Sequence, residues 1–314
     1  MPAEDHIPER SGGRRRRDGL TEGVALVAIA LATTVLFASG SLDIAVARWF
    51  YRAAGADHWP LARQFPWTLL YRAAAWITAS LVSAALVALA ASFAPSRHRW
   101  RRPAVLVLLA VVIGPGLLGN ALFKDHWQHP RPRDLVEFGG SLHYVPAPLI
   151  GTEGGASFPC GHCTVGFLYA CGWWIWKRRR PRAALTSLGG GMALGLLLGM
   201  GRMAAGAHFL SDIVWSALLA FGVVHLLDYH VLALPAADRG ESAATTEPIR
   251  GQHGTASGAT RPLRKHASGQ RLATIAALLG GTAVLVALFA TPHGTALTRS
   301  VTLASLRSVP PSRG

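Results

Sequence analysis

The side chains in this sequence best suited to chemistry are those of His208 and Asp212, which stand four positions apart and follow Arg202. A helix through this segment would place the imidazole and the carboxylate on one face. A carboxylate so placed can hold the imidazole in one tautomer and stabilise its charged form, as in a catalytic triad. The alternative is a polar contact between helices, although an ionisable residue in a membrane span is a functional candidate by default.

A second segment, Ser157-Phe-Pro159-Cys160-Gly161-His162, opens an apolar run. Pro159 suits the start of a helix, and Gly161 lets the backbone approach an anion closely. The free backbone N–H groups at such a helix start favour a phosphate. The alternative is a simple helix start with a histidine at the water boundary.

A third segment, from Lys124 to Arg131 and Pro132, directly follows another apolar run. Taken alone, its two cations are better explained as side chains that anchor the membrane surface. The three segments nevertheless fall within about 90 residues. Together they offer three cations, two histidines and a carboxylate. That set can supply phosphate contacts, a nucleophile and an acid for phosphoryl transfer.

Long apolar runs separate these segments, and 51% of the whole sequence is hydrophobic. The runs are about 17–25 residues long and almost uncharged, which is the length that crosses a bilayer as a helix. Strands of a membrane barrel would alternate polar and apolar residues over about ten positions, a pattern that does not occur. Seven spans are predicted, at about 24–40, 73–94, 103–123, 161–176, 183–201, 209–227 and 272–291.

The basic residues behind the formal charge of +15 lie mostly at the ends of the apolar runs and not along one soluble face. This distribution fits the positive-inside rule better than nucleic acid binding, so we expect no nucleic acid partner. With the N-terminus in the cytoplasm, 20 of the 31 lysines and arginines lie on the cytoplasmic side. The three segments then face the outside of a bacterial inner membrane, in the periplasm or its equivalent.

These patterns predict an all-α integral membrane protein with a six-helix transmembrane core and one appended C-terminal transmembrane helix. The three cysteines are too few for a fold built on disulfides. Gly, Ala, Ser and Thr dominate 229–271, a composition typical of a flexible linker. The predicted order is a basic cytoplasmic tail (1–23), the six-helix core (24–228), a flexible cytoplasmic linker (229–271), the seventh helix (272–291) and a C-terminal tail (292–314).

The spacing Lys124-x6-Arg131-Pro132, Pro159-x-Gly161-His162 and Arg202-x5-His208-x3-Asp212 resembles the phosphatidic acid phosphatase type 2 (PAP2) superfamily. The resemblance extends over about residues 40–228. It implies a six-helix membrane core and a lipid phosphatase that needs no metal and no cofactor. The superfamily also includes soluble vanadium-dependent haloperoxidases, a branch that the predicted spans argue against.

With this resemblance, we expect His208 to attack phosphorus and form a phosphohistidine. Asp212 would orient His208, and His162 would protonate the leaving group and then activate water. The expected phosphate-binding residues are Lys124, Arg131, Arg202, Gly161 and Cys160.

Two positions depart from the family pattern. Cys160 and Gly201 stand where the family usually has serine, and a thiol is a weak hydrogen-bond donor. Cys160 and Cys163 also match the Cys-x-x-Cys spacing of thiol-disulfide oxidoreductases, but that motif belongs near a βαβ unit. A transporter is a further alternative, which would predict broken helices at mid-membrane and internal symmetry.

The expected partners are membrane lipids and a lipid phosphate substrate, with the oligomeric state open. Lipid A or undecaprenyl pyrophosphate is the favoured substrate. Phosphatidic acid, phosphatidylglycerophosphate and transfer of the phosphate to a second lipid remain alternatives.

Overall fold

The computed structural model describes residues 9–124, 126–147 and 149–232, which form helices joined by turns and irregular segments and contain no β-strand. Five helices are long and apolar enough to cross a membrane, which confirms the predicted all-helical membrane architecture in its coarse form. These candidate spans are Arg15–Phe37, Trp67–Ala91, Pro95–Lys124, Pro181–Ala204 and Leu210–Val231. Eight α-helices occur in this part: α1 (Glu9–Phe37), α2 (Ser41–Phe50), α3 (Trp67–Ala91), α4 (Arg101–Val111), α5 (Gly161–Leu168), α6 (Gly172–Trp176), α7 (Pro181–Ala204) and α8 (Leu210–Leu226).

Several boundaries differ from the sequence prediction. Helix α1 begins at Glu9, within the predicted tail, because the arginine-rich segment continues directly into the apolar run. Helices α4 and α8 extend as π-helical segments, Val112–Lys124 and Leu227–Val231. The predicted span 161–176 is divided by a 3₁₀ turn at Tyr169–Cys171 and is not among the five candidates. The seventh helix, the C-terminal tail and the linker beyond residue 232 lie outside the described residues.

Three glycines on α7 set its close packing against the neighbouring helices. Gly191, Gly195 and Gly199 are four residues apart, the small-residue pattern that lets membrane helices approach. A Cβ on Gly195 would collide with the buried ring of Phe167 on α5, and one on Gly199 would lie 2.8 Å from Ile213 on α8. The spacing of these helices therefore depends on the missing side chains.

Ion pairs close one end of the helix bundle. Asp228 pairs with Arg102 and with Arg15, so that α1 and α4 are joined to the end of α8. Lys177, just after α6, pairs with Glu22 and donates to the Tyr229 hydroxyl at 2.7 Å. The three segments singled out above lie at the opposite end. Helix α4 begins at Arg101 and its extension ends at Lys124, while α8 begins at Leu210 and its extension contains Asp228.

We predict that Gly195→Leu destabilises the protein by about 1–3 kcal/mol, the usual cost of overpacking a well-packed site. The added side chain must push α5 away from α7, since it has no space beside Phe167. Gly190→Leu is the matched control, because nothing lies within 4 Å of a Cβ at that exposed position. Thermal unfolding in detergent measures both variants, and an equal melting temperature for the two would contradict the packing argument.

Candidate active site

Four helix ends meet at the end of the bundle away from the ion pairs. Helix α4 with its extension ends at Lys124, α5 begins at Gly161, α7 ends at Ala204, and α8 begins at Leu210. A short connection, 205–209, joins α7 to α8, whereas the much longer segment 125–160 joins the α4 extension to α5. The three sequence segments are therefore neighbours in space although they are dispersed along the chain.

His208 and Asp212 are both buried, and Nδ1 of His208 lies 3.5 Å from Oδ2 of Asp212. The reason for their proximity differs from the predicted one, because α8 begins at Leu210 and His208 precedes it. Asp212 is the third residue of the helix, and its Oδ2 accepts the N–H of Phe209 at 2.9 Å. The carboxylate thus reaches back over the helix start, where the free N–H groups stabilise a negative charge.

Ser157 joins the histidine to the carboxylate. Its hydroxyl lies 2.5 Å from Oδ2 of Asp212 and 3.4 Å from Nδ1 of His208. Nδ1 of His208 is therefore the ring nitrogen that faces the positioning groups. The opposite nitrogen, Nε2, is left for a bond to phosphorus.

Burial lowers the pKa of His208, and the positive charges of Arg202 and Arg131 lower it further. Asp212 opposes this shift without reversing it. An imidazole with a lowered pKa is neutral at pH 7, and only the neutral ring has a lone pair for attack. Arg131 and Arg202 therefore act electrostatically on the same imidazole.

His162 occupies the second position of α5 and stacks on Tyr71 of α3, with ring centroids 5.2 Å apart. The guanidinium of Arg202 lies 5.1 Å from the centre of the same tyrosine ring. The charges of Arg202, His208 and Lys124 act on His162. The two predicted catalytic histidines therefore share one electrostatic environment with the predicted cations.

The predicted phosphate-binding groups differ in how they are placed. Nζ of Lys124 lies 3.8 Å from the position that a Cβ on Gly161 would take, so the cation is beside the bare helix start. Nε of Arg202 is buried and has no hydrogen-bond partner in the part of the chain that the structure describes. A buried guanidinium N–H without an acceptor suits an anionic oxygen.

Cys160 is fully buried at the N-cap of α5, and its sulfur is joined to Cys163 in a disulfide. Its backbone N–H donates to the Ser216 hydroxyl at 2.9 Å. A disulfide sulfur has no proton to donate. Cys160 therefore fixes the backbone beside Gly161 and does not offer a thiol hydrogen bond to a phosphate.

Several residues that hold this arrangement were not among the predicted site residues. Ser157 stood inside a recognised segment, but serine at that point gave no separate signal. Asp43 on α2 accepts from the N–H and hydroxyl of Ser211, at 2.9 and 2.5 Å, and from Tyr144 at 2.6 Å. Burial raises the pKa of Asp43 to about 6 against these three hydrogen bonds. No motif pointed to Asp43, because its partners come from distant parts of the sequence.

A metal site would need several ligating side chains in one place. Across the described ranges, 9–124, 126–147 and 149–232, no three His, Cys, Asp or Glu side chains are grouped to hold a metal ion.

Comparison with known proteins supports the family suggested by the motifs. Residues 103–233 match the model of the PAP2 superfamily. A lipid A 4'-phosphatase of Francisella tularensis subsp. novicida is 33% identical over 140 residues, which cover 42% of this chain and 60% of that protein. No solved structure matches the chain significantly.

Two rhizobial proteins show a similar relationship. A lipid A 4'-phosphatase of Rhizobium etli is 34% identical over 126 residues, which cover 37% of this chain and 46% of the relative. One of Rhizobium leguminosarum is 33% identical over 125 residues, which cover 38% and 52% of the two chains. The chain thus spans about half the length of the curated relatives that it matches. Residues 103–233, which contain all three motifs, are thus the part of the chain that is similar to the PAP2 superfamily.

Proposed function

We propose that this protein is a membrane lipid phosphatase that removes a phosphate from lipid A through a phosphohistidine on His208. The observation that carries the proposal is the buried pair of His208 and Asp212, 3.5 Å apart and under the positive charge of Arg131 and Arg202. The names of the three relatives favour lipid A over undecaprenyl pyrophosphate as the substrate.

The first chemical step is attack by Nε2 of His208 on phosphorus. As the N–P bond forms, the bond from phosphorus to the sugar oxygen breaks, and His162 gives its proton to that oxygen. Asp212 stabilises the charged imidazole through the proton on Nδ1. Lys124, Arg131 and Arg202 bind the phosphoryl oxygens, with the N–H of Gly161 as a further donor.

The second step releases phosphate. His162 takes a proton from water, the water oxygen bonds to phosphorus, and the N–P bond breaks to restore neutral His208. Burial makes the fixed cations effective in both steps, because charges removed from water interact more strongly than exposed ones. No phosphate contact is assigned to the Cys160 side chain while its sulfur is in the disulfide.

The proposed membrane arrangement has a six-helix core in which Gly161–Trp176 forms the additional span, with the seventh helix following the linker. The active site faces the periplasm. Two features support this orientation: the excess of lysine and arginine on the opposite side, and the location of the ion pairs at the end of the bundle away from His208. Lipid A in the outer leaflet of the inner membrane is accessible from this side.

A topology experiment tests the orientation. A reporter fused after Leu135 should behave as external, and one fused after Arg180 should behave as cytoplasmic, because 20 of the 31 basic residues then lie inside. Paired alkaline phosphatase and fluorescent protein fusions measure the two positions. The reverse pattern would place the site in the cytoplasm and remove periplasmic lipid A from consideration.

The nucleophile is tested by His208→Ala. Turnover should fall by orders of magnitude, since the bond to phosphorus can no longer form. The measurement is phosphate release from purified lipid A in detergent, with thermal unfolding as the check on the fold. His143→Ala is the matched control, because that histidine is exposed and pairs only with Glu153 among the described residues. Activity above about a tenth of wild type in His208→Ala would overturn the assignment.

The general acid is tested by His162→Ala. The rate should fall far more for lipid A, whose sugar alkoxide needs a proton, than for an activated aryl phosphate, which leaves without one. The ratio of kcat/KM values for the two substrates reports this difference and is insensitive to the amount of folded enzyme. An equal loss for both substrates would assign His162 to binding instead of proton transfer.

A further inference from the structure

A second histidine lies on the other oxygen of Asp212. His129, in the segment after the α4 extension, is fully buried, and its Nδ1 is 3.4 Å from Oδ1 of Asp212. The ring centroids of Phe158 and Phe209 lie 6.1 and 5.8 Å from that of His129, and Tyr144 lies at 6.4 Å. The imidazole is therefore held in place by aromatic packing, and its Nδ1 faces the carboxylate.

The protons of His129 can be assigned from its two neighbours. Nε2 lies 2.5 Å from the carbonyl oxygen of Val145, which can only accept, so Nε2 carries a hydrogen. Nδ1 of His129 and Oδ1 of Asp212 have no other hydrogen-bond partner among the described residues. If the ring were neutral and Asp212 ionised, a lone pair on Nδ1 would face a carboxylate oxygen between two fully buried side chains. Such a buried contact between two acceptors is costly.

We propose, on the basis of the lipid phosphatase function above, that His129 is a positioning residue that holds a proton against Oδ1 of Asp212. The carboxylate then lies between two imidazoles, with His129 on Oδ1 and His208 on Oδ2. Each oxygen has a donor, since Oδ2 already receives the Ser157 hydroxyl and the Phe209 N–H.

Among the groups around His129, Asp212 is the one that can share the proton on Nδ1. The titratable groups that face the ring are Asp212 from α8 and Tyr144 from the segment before α5, and Tyr144 donates to Asp43. Burial lowers the pKa of His129, while Asp212 acts in the opposite direction. A proton shared between nitrogen and carboxylate satisfies both groups without a separated charge.

The consequence for catalysis concerns the proton on Nδ1 of His208. If Oδ1 had no donor, the Asp212 carboxylate would attract that proton strongly once phosphorus is bonded to Nε2 of His208. With His129 on the other oxygen, Asp212 is less basic, and the proton stays on His208. A protonated phosphohistidine releases its phosphoryl group to water readily, because the leaving nitrogen departs as a neutral imidazole. The His129 proton remains on the pair throughout and is not consumed.

Two substitutions separate this role from simple packing. Asparagine can place an amide N–H where Nδ1 lies and so donate to Asp212. Glutamine instead reaches the position of Nε2, which preserves the contact with Val145 but leaves Oδ1 without a donor. We expect His129→Gln to lower kcat by about 10- to 100-fold, a loss of the size seen when the hydrogen-bonding partner of a metal-ligating histidine is removed. KM should change little, because the phosphate contacts are intact. His129→Asn should retain most of the wild-type kcat.

The activity measurements are made on the full chain with lipid A in detergent, alongside thermal unfolding of each variant. Wild-type kcat in His129→Gln would overturn the proposal. An equal loss in both variants, accompanied by lower melting temperatures, would show that His129 acts through packing alone, and would overturn it as well.

A measurement that does not depend on turnover keeps the proposal separate from the proposed function. Nitrogen-15 NMR of histidine-labelled protein at pH 7 should show His129 with hydrogens associated with both ring nitrogens, assigned by its absence in His129→Asn. A ring with an unprotonated Nδ1 beside an ionised Asp212 would refute the shared proton. If the wild-type protein releases no phosphate from lipid A while this signal is present, the phosphatase proposal fails and the His129–Asp212 pair stands.

Discussion

The organisation of the site depends on one buried carboxylate, that of Asp212. Its side chain is fully buried at the start of α8, and its Oδ2 accepts from Ser157 and the Phe209 N–H while facing His208. A buried charge is stable only when its oxygens are satisfied, so these contacts are a requirement of folding as much as of chemistry. The same contacts fix the imidazole in the orientation that the proposed attack on phosphorus requires. The constraints of folding and of the proposed chemistry therefore coincide at Asp212.

The helix framework places this carboxylate next to the proposed phosphate-binding groups. Gly195 lets α7 lie against α5, and Gly199 lets α7 approach α8, so the end of α7 carries Arg202 to the His208 side. Asp43 adds an independent restraint, because it binds Ser211, the residue immediately before Asp212. A shift of α8 along its axis would break the Asp43 contacts and the Asp212 contacts together. The register of α8 is thus defined from two sides.

How well the sequence predicted each part of this site depends on how far apart along the chain the interacting residues lie. The apolar runs predicted the five candidate spans, because crossing a bilayer imposes a length on each helix separately. The motif spacing identified His208, Asp212 and Arg202, which the structure brings together near one helix end. The predicted span at 209–227 already began after His208, but the contact of Asp212 with the Phe209 N–H at the helix start was not predicted.

Other partners of the site could not be predicted, because they arise only from tertiary packing. Asp43 and Ser211 are 168 residues apart in sequence, and no local pattern connects them. His129 stood inside a recognised segment, but its importance depends on Val145 and Asp212, which meet it only in the folded chain. The broken span 161–176 is a similar case, since the 3₁₀ turn at Tyr169–Cys171 leaves no trace in an apolar composition.

Basic side chains are paired with carboxylates at one end of the bundle and not at the other. This difference connects the fold to the proposed chemistry. At the end away from the site, Arg102 and Lys177 are paired with Asp228 and Glu22, so their charges are neutralised within the protein. At the site, neither Arg131 nor Arg202 has a carboxylate within ion-pair distance in the described part of the chain. Asp212, the acidic group beside His208, is directed to imidazoles and to a helix start. Within the described residues this positive charge has no carboxylate partner. Under the proposed function, a bound phosphate neutralises it, and the free energy of that neutralisation is available to hold the phosphoryl group against His208.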